Sequence, residues 1–201
     1  MQKEINVCVI IPAYNAALTM ERVFERIPNS ILKKITNFVV VNDGSKDKTK
    51  EIIFDLKKRY KNIVYLEHEK NKGYGAAQKT GFNEALKRNA DIMLLLHSDG
   101  QYPPELIEKF IQPLKNNGAD MVIGSRFLDA TFKSVMGGGM PLHKYMGNRI
   151  LTKIENLAYG MKMSEYHTGY IFYTKNALNT IPYNKLSDTF HFDGEMIMMA
   201  G

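Results

Sequence analysis

As far as residue 124 the chain repeats one pattern: a short run of consecutive apolar positions, then a longer stretch with apolar residues every third or fourth place. The runs at 7–11, 38–41, 63–66, 92–96 and 121–123 are rich in Val, Ile and Leu and do not alternate with polar residues. A strand with one wet face would alternate, so the pattern predicts strands buried on both faces of a parallel sheet. Helices are predicted over 47–60, 75–88 and 104–116. The first has Asp47 as N-cap and Ile52, Ile53, Leu56 and Tyr60 on one face; the third opens on a Pro-Pro pair suited to a first turn. Strands alternating with helices imply an α/β, Rossmann-like, doubly wound and mostly parallel sheet with helices on both faces.

The pattern changes after residue 125. The Gly-rich stretch 136–141 reads as a mobile loop, followed by an amphipathic helix over 142–159 carrying Tyr145, Met146, Ile150, Ile154 and Leu157. That apolar face is expected to pack on the sheet, with membrane docking as the less favoured alternative. No repeat or low-complexity linker appears, so one domain is expected, with a nucleotide-binding half over 1–124 and an acceptor half over 125–201. The chain ends inside an apolar run without a helix cap, which reads as a C-terminal truncation.

Ligands of such sheets bind outside the carboxyl ends of the strands. Four segments fall there: Pro12-Ala13-Tyr14-Asn15, Asn42-Asp43-Gly44-Ser45, His97-Ser98-Asp99-Gly100-Gln101 and Gly124-Ser125-Arg126. Asp43 suits a base imide or ribose hydroxyl, or equally a turn and helix cap. His97, Asp99 and Gln101 alternate, so in an extended segment they would converge and hold Mg²⁺ or Mn²⁺, leaving positions for phosphate oxygens; a plain polar loop is the alternative. Asn71-Lys72-Gly73-Tyr74-Gly75 precedes a helix, where glycines permit close approach to phosphate, or simply helix entry. Arg126 suits a phosphate or a surface ion pair. The stretches 165–170 and 190–195 set acids among aromatics, as in a shielded site where a carboxylate serves as base, or at a core edge.

Composition narrows this further. The charge of +6 (27 basic, 21 acidic residues) suits phosphate ligands or an anionic lipid surface. No clustered basic stripe with interleaved aromatics appears, which argues against nucleic acid. The lone Cys8 forms no internal disulfide and reads as a core residue in a reducing compartment. No apolar run has membrane-spanning length and no signal peptide is read. A cytoplasmic protein is expected, with a peripheral seat at the inner face of the membrane and self-association both open. No dinucleotide fingerprint follows the first strand and no P-loop occurs.

In order, VIIPAYN (9–15), VVVNDGSKDKT (39–49), NKGYGAAQKTGF (71–82), LLLHSDGQYPPE (94–105), VIGSRF (122–127), GGGMPLHKYMGNR (137–149), EYHTGYIFY (165–173) and FHFDGE (190–195) resemble family 2 glycosyltransferases of the GT-A fold. The nearest subgroup is similar to dolichyl-phosphate mannosyltransferase. The resemblance implies an inverting transfer of a sugar from a UDP- or GDP-sugar to a polyprenyl phosphate or a cell-surface glycan precursor. It would place Pro12, Ala13, Tyr14, Asn15, Asp43, Gly75, Ser98, Asp99 and Arg126 around the nucleotide sugar. It would give His97, Asp99 and Gln101 the Mg²⁺ or Mn²⁺, and His167 and Thr168 the acceptor. Asp193 would be the base, with Glu195 its rival and Asp99 a third catalytic acid. The loop 133–141 would order over bound donor. Three positions depart from the family pattern: Ala16 in place of Glu, His97 in place of the first metal-motif Asp, and Ile171 where many relatives carry Arg. Ala16 and His97 keep a non-catalytic nucleotide-sugar-binding module open. A sugar-phosphate nucleotidylyltransferase would need a Gly-rich basic signature that PAYNAALTMERVF (12–24) does not supply.

Overall fold

The computed structural model describes residues 5–116, 118–128 and 140–200, together with Thr131, Val135 and Gly137. Its strands are β1 (Val7–Ala13), β2 (Asn37–Asn42), β3 (Ile63–Glu67), β4 (Ile92–Leu95), β5 (Met121–Ile123) and β6 (Ile171–Thr174). They form one sheet in the order β3-β2-β1-β4-β6-β5. The unbroken apolar runs serve two cores at once. Val7, Val9 and Ile11 of β1 face one cluster with Phe24, Phe38, Ile53 and Leu56, while Cys8 and Ile10 face the other with Phe82, Met93, Tyr173 and Phe192. Successive residues of a strand point to opposite faces, so a strand covered on both sides has no polar position to spare. Burial lifts the Cys8 thiol to about 11, so it stays protonated and unreactive at neutral pH.

The helices are α1 (Met20–Glu25), α2 (Asn29–Leu32), α3 (Thr49–Arg59), α4 (Tyr74–Lys87), α5 (Ile107–Lys115), α6 (Leu142–Tyr159), α7 (Lys175–Thr180) and α8 (Phe192–Ala200). Side chains of α1, α3 and α5 fill one core, and those of α4, α7 and α8 fill the other. Asp47 does help to open α3: its Oδ1 accepts the Thr49 amide at 3.0 Å. β1 pairs in parallel with both β2 and β4. The chain therefore winds outward from β1 in both directions, and the carboxyl ends of these neighbours meet at a topological switch point.

The sheet is mostly parallel, as expected, and one expectation about a helix is corrected. β6 runs antiparallel between β4 and β5, with Met93 and Met121 both in register with Tyr173. β5 still runs with β4, so residues 124–126 keep their place at the carboxyl edge. The expected helix over 142–159 forms, but its apolar face does not pack on the sheet, whose two faces are already covered. Only Thr152 of α6 is buried. Its inner side is tied instead by Asn156, which bonds the Met163 amide and carbonyl and the Tyr166 hydroxyl. Most of the loop 133–141 expected to close over a donor (133–134, 136 and 138–139) lies outside the described residues.

Candidate active site

The site begins at the entry to α4. Gly73 has φ +106, which an L side chain rarely adopts, and a Cβ there would sit 2.3 Å from the Asp188 carbonyl oxygen. The Gly75 amide donates to that same oxygen at 2.8 Å, and a Cβ on Gly75 would meet Ser187 O at 2.5 Å. The close approach permitted by these glycines is thus to the chain's own 187–188 backbone. This corrects the reading of Gly75 as a phosphate contact. Pinning 187–188 brings the first turn of α8 against α4 and buries Asp193.

Asp193 Oδ1 accepts from Gln78 Nε2 at 2.8 Å and Oδ2 accepts from the Tyr74 hydroxyl at 2.9 Å. The Tyr74 oxygen also lies 2.6 Å from His97 Nε2. With the single Tyr74 proton given to the carboxylate, the consistent assignment is a neutral His97 donating from Nε2 to Tyr74. Burial raises Asp193 to about 6, against the lowering pull of Gln78 and Tyr74. Burial also lowers His97, opposed by the charge of Asp99, and holds the Tyr74 phenol well above its ordinary value. The result is a carboxylate that titrates near neutral pH, held by neutral donors. Sequence reading named Tyr74 only as part of the 71–75 segment and gave neither it nor Gln78 a role beside Asp193. No signal in the sequence marks Gln78; only the fold shows it as a buried amide four residues along α4 from Tyr74.

Two cavities flank this cluster. One, of about 430 Å³, is lined by Pro12, Ala13, Tyr14, Asp43, Ser98 and Asp99, along with Tyr74 and His97. The other, of about 540 Å³, is lined by Tyr159, Tyr166, His167, Thr168, Asp193 and Met198. Phe190 borders both, and its ring stacks on Tyr74 at 5.2 Å.

Other expected residues take different places. Asn15 clips two loops together: its amide donates to Ser45 Oγ and its Oδ1 accepts from Lys46 N, each at 2.9 Å. Asp43 is buried, and its carboxylate accepts the Lys72 and Gly73 amides at 2.9 and 3.0 Å and meets His68 Nδ1 at 2.6 Å. It holds the 68–73 segment while bordering the first cavity. The segment after β4 is not extended. Gly100, at φ +75, lets its amide reach back to the His97 carbonyl at 3.4 Å and closes a turn. The His97 ring therefore goes inward against Tyr74 and Tyr102, while Asp99 stays exposed and accepts the Gln101 amide at 3.0 Å. Gln101 lines a separate groove with Arg126. The expected three-residue convergence on a metal does not form, and among the described residues no three His, Cys, Asp or Glu side chains gather as a metal site. Arg126 is occupied by the fully buried Glu165, to which its Nε donates at 2.8 Å, and by the His167 carbonyl at 2.9 Å. It thus braces 165–168 with its charge compensated. Glu195 Oε2 accepts the Ser187 amide at 2.7 Å and supports the pinned segment. His167 Nε2 stands 3.3 Å from Glu155, beside buried Thr168.

Residues 8–181 match the family model described as Glycosyl transferase family 2. The chain belongs to that family. This family 2 glycosyltransferase is 31% identical over 205 residues to the UDP-N-acetylglucosamine–dolichyl-phosphate N-acetylglucosaminyltransferase of Methanococcus voltae, covering 96% of the chain and 78% of the relative. It is 38% identical over 122 residues to the dolichol-phosphate mannosyltransferase of Pyrococcus furiosus, covering 61% of the chain and only 33% of that longer protein. Glucosyl-3-phosphoglycerate synthase from Mycobacterium tuberculosis, solved with Mn²⁺, UDP and phosphoglyceric acid, shares the GT-A fold at TM-score 0.63 and 17% identity, covering 96% of the chain and 62% of the synthase.

The family 2 glycosyltransferase departs from its pattern in ways the structure explains. Ala16 is packed, with its amide given to Thr49 Oγ1 at 2.7 Å. Ile171 is fully buried in the core facing Tyr173 and Phe82, so that position does not front either cavity. His97, which the resemblance would set in the metal motif, bonds Tyr74 instead. Tyr74→Phe removes the hydroxyl that favours ionised Asp193. Its acid limb in a pH profile of kcat/KM should therefore move to higher pH than the wild type's; an unmoved limb would remove Tyr74 from the site.

Proposed function

We propose that this glycosyltransferase moves a sugar from a nucleotide-diphosphate donor to a polyprenyl phosphate, with inversion at the anomeric carbon. The observation that carries the reading is Asp193, buried in the wall between two cavities. The cavity at the carboxyl ends of β1 and β4 takes the donor, with Tyr14 beside the nucleotide and Ser98 and Asp99 toward the diphosphate. The other takes the acceptor: Tyr159, Tyr166 and Met198 suit the first isoprene units, and His167 offers a polar edge. Residues 1–124 would then supply the donor half and the later residues the acceptor half. The relatives named for dolichyl-phosphate acceptors support this assignment.

An acceptor phosphate oxygen attacks the anomeric carbon from the face opposite the diphosphate. The new C–O bond forms as the bond to the diphosphate breaks, and the nucleotide diphosphate leaves with the electron pair. A phosphate monoester loses its second proton near pH 6. Asp193, also near 6, is matched to accept that proton as attack proceeds. The donor set fits a divalent ion that arrives with the diphosphate rather than one held beforehand, since Asp99 is the exposed carboxylate on this cavity. Mg²⁺ commonly binds through one or two carboxylates plus substrate phosphates and water. Bound there, such an ion would neutralise charge on the leaving group.

Incubation with UDP-N-acetylglucosamine, UDP-glucose or GDP-mannose, Mn²⁺ and polyprenyl phosphate should yield glycolipid of inverted anomeric configuration and free nucleotide diphosphate. Donor binding without turnover would instead indicate a binding module. Asp99→Ala should abolish the Mn²⁺-dependent part of the thermal shift given by UDP while leaving the unliganded melting temperature unchanged. A Mn²⁺-dependent shift that survives would exclude Asp99 as the metal contact.

A further inference from the structure

We propose that the ring of Phe190 is the platform on which the transferred sugar rests, apolar face down, as it passes from donor to acceptor. Phe190 is 82% exposed, although the chain on both sides of it is fixed. Before it, the Asp188 carbonyl accepts the Gly75 amide and the Asp188 carboxylate accepts from Lys79 Nζ, each at 2.8 Å. After it, Phe192 is fully buried at the start of α8. Thr189 Oγ1 and His191 Nδ1, from the residues on either side, stand 3.0 Å apart. The ring itself stacks on Tyr74, with 5.2 Å between centroids and 20° between planes. Tyr74 is bonded to Asp193 and His97, so the platform has a defined place over the relay.

Position selects the occupant. A single exposed apolar side chain is commonplace on a protein surface. What sets Phe190 apart is that it borders both the donor and the acceptor cavity. A nucleotide touches only the first of these and a lipid chain only the second. The transferred sugar belongs to each in turn, because its anomeric carbon exchanges one oxygen for another at their boundary. A pyranose presents C–H groups on its apolar face, and these suit the negative face of an aromatic ring. As the bond to the diphosphate breaks, positive charge builds at the anomeric carbon. An aromatic face attracts that charge more strongly than it attracted the neutral sugar, so the platform favours the transition state over the bound donor. This use of Phe190 rests on the transferase reading.

The chain contains no tryptophan, so Phe190→Trp supplies one fluorophore at the platform. With Mn²⁺ present, its emission should move to shorter wavelength on addition of whichever of UDP-N-acetylglucosamine, UDP-glucose and GDP-mannose is the donor. UDP, GDP and polyprenyl phosphate, each alone, should leave it unmoved. Phe190→Ala and Phe190→Leu should both lower kcat by about tenfold, since Leu keeps apolar area but has no aromatic face. Phe190→Tyr should recover most of that loss, and UDP affinity by calorimetry should be the same in all of them. The position is exposed, so circular dichroism should match the wild type throughout. Emission that answers a nucleotide without its sugar, or polyprenyl phosphate alone, would give the ring to another group and overturn the proposal. So would a Phe190→Leu variant with the wild-type kcat. Emission that answers a nucleotide sugar, beside a wild type that transfers nothing to polyprenyl phosphate, would sink the transferase reading and leave the sugar platform in place.

Discussion

Replacing Asp193 with Asn should cost about 10²–10⁴-fold in transfer rate while making the protein harder to melt at pH 7.5. The two effects share one cause. Burial raises this carboxyl from 3.8 to about 6, so at neutral pH the fold carries an ionised group that its surroundings disfavour, at a cost on the order of 3 kcal/mol. A group whose folded value is raised contributes stability below its unfolded value and loses it as pH rises through the folded value. The wild type should therefore weaken between about pH 4 and pH 6 relative to the Asn variant, and the two should converge below about pH 4. Asn fits the cluster: its oxygen can accept from Gln78, and its amide can donate to Tyr74, which then donates to His97. Melting curves from pH 3.5 to 8, beside single-turnover rates, check both halves. An Asn variant that is active, or less stable than the wild type at pH 7.5, would remove Asp193 from the role assigned to it.

The second large effect is expected from Gly169→Ala. A Cβ at this position would lie 2.6 Å from His97 Nε2 and 2.9 Å from Asp193 Oδ2. Neither side chain can withdraw alone, because Tyr74 bonds to both. Gly169 is itself anchored, with its amide given to the Tyr102 hydroxyl at 2.8 Å. One methyl group therefore forces the relay apart. The stability cost should be about 1–3 kcal/mol, as for other overpacked sites. Turnover should fall by about a hundredfold or more, since small misplacements of reacting groups are costly. UDP binding at the far side of the donor cavity should be little changed. Titration of UDP by calorimetry, beside kcat, would separate the two; equal losses in both would mean that Gly169 acts on the whole cavity.

The parts of this fold legible in the sequence are those with a long or repetitive signal. The five parallel strands were readable because doubly buried runs such as FVVV and IMLL admit no polar residue. Helices α3 to α6 were readable because each is long enough to show a period. β6 was not, because four residues beginning at Ile171 have no period and direction leaves no mark in a buried strand. α1, α2 and α7 are too short for a face to repeat, and α8, as long as α5, is apolar along its last turns without a distinct polar face. At the site, strand-end logic placed Pro12, Tyr14, Ser98 and Asp99 on one cavity. It could not foresee that the φ of Gly100 would turn His97 inward, or that Gly73 and Gly75 serve the 187–188 backbone rather than a ligand. The first is set by the conformation of one glycine, and the second by contacts more than a hundred residues apart, neither of which local spacing encodes.

The late arrival of β6 has a consequence for how the molecule is made. Among the described residues β5 has no sheet partner except β6, and β4 has none on that side either. A nascent chain that has left the ribosome only as far as residue 170 can pair β3, β2, β1 and β4, but it leaves β5 detached and a bare apolar edge on β4. Such an edge is prone to intermolecular pairing. Synthesis paused just before Ile171 should therefore be the point of greatest exposure to aggregation and of greatest need for a chaperone.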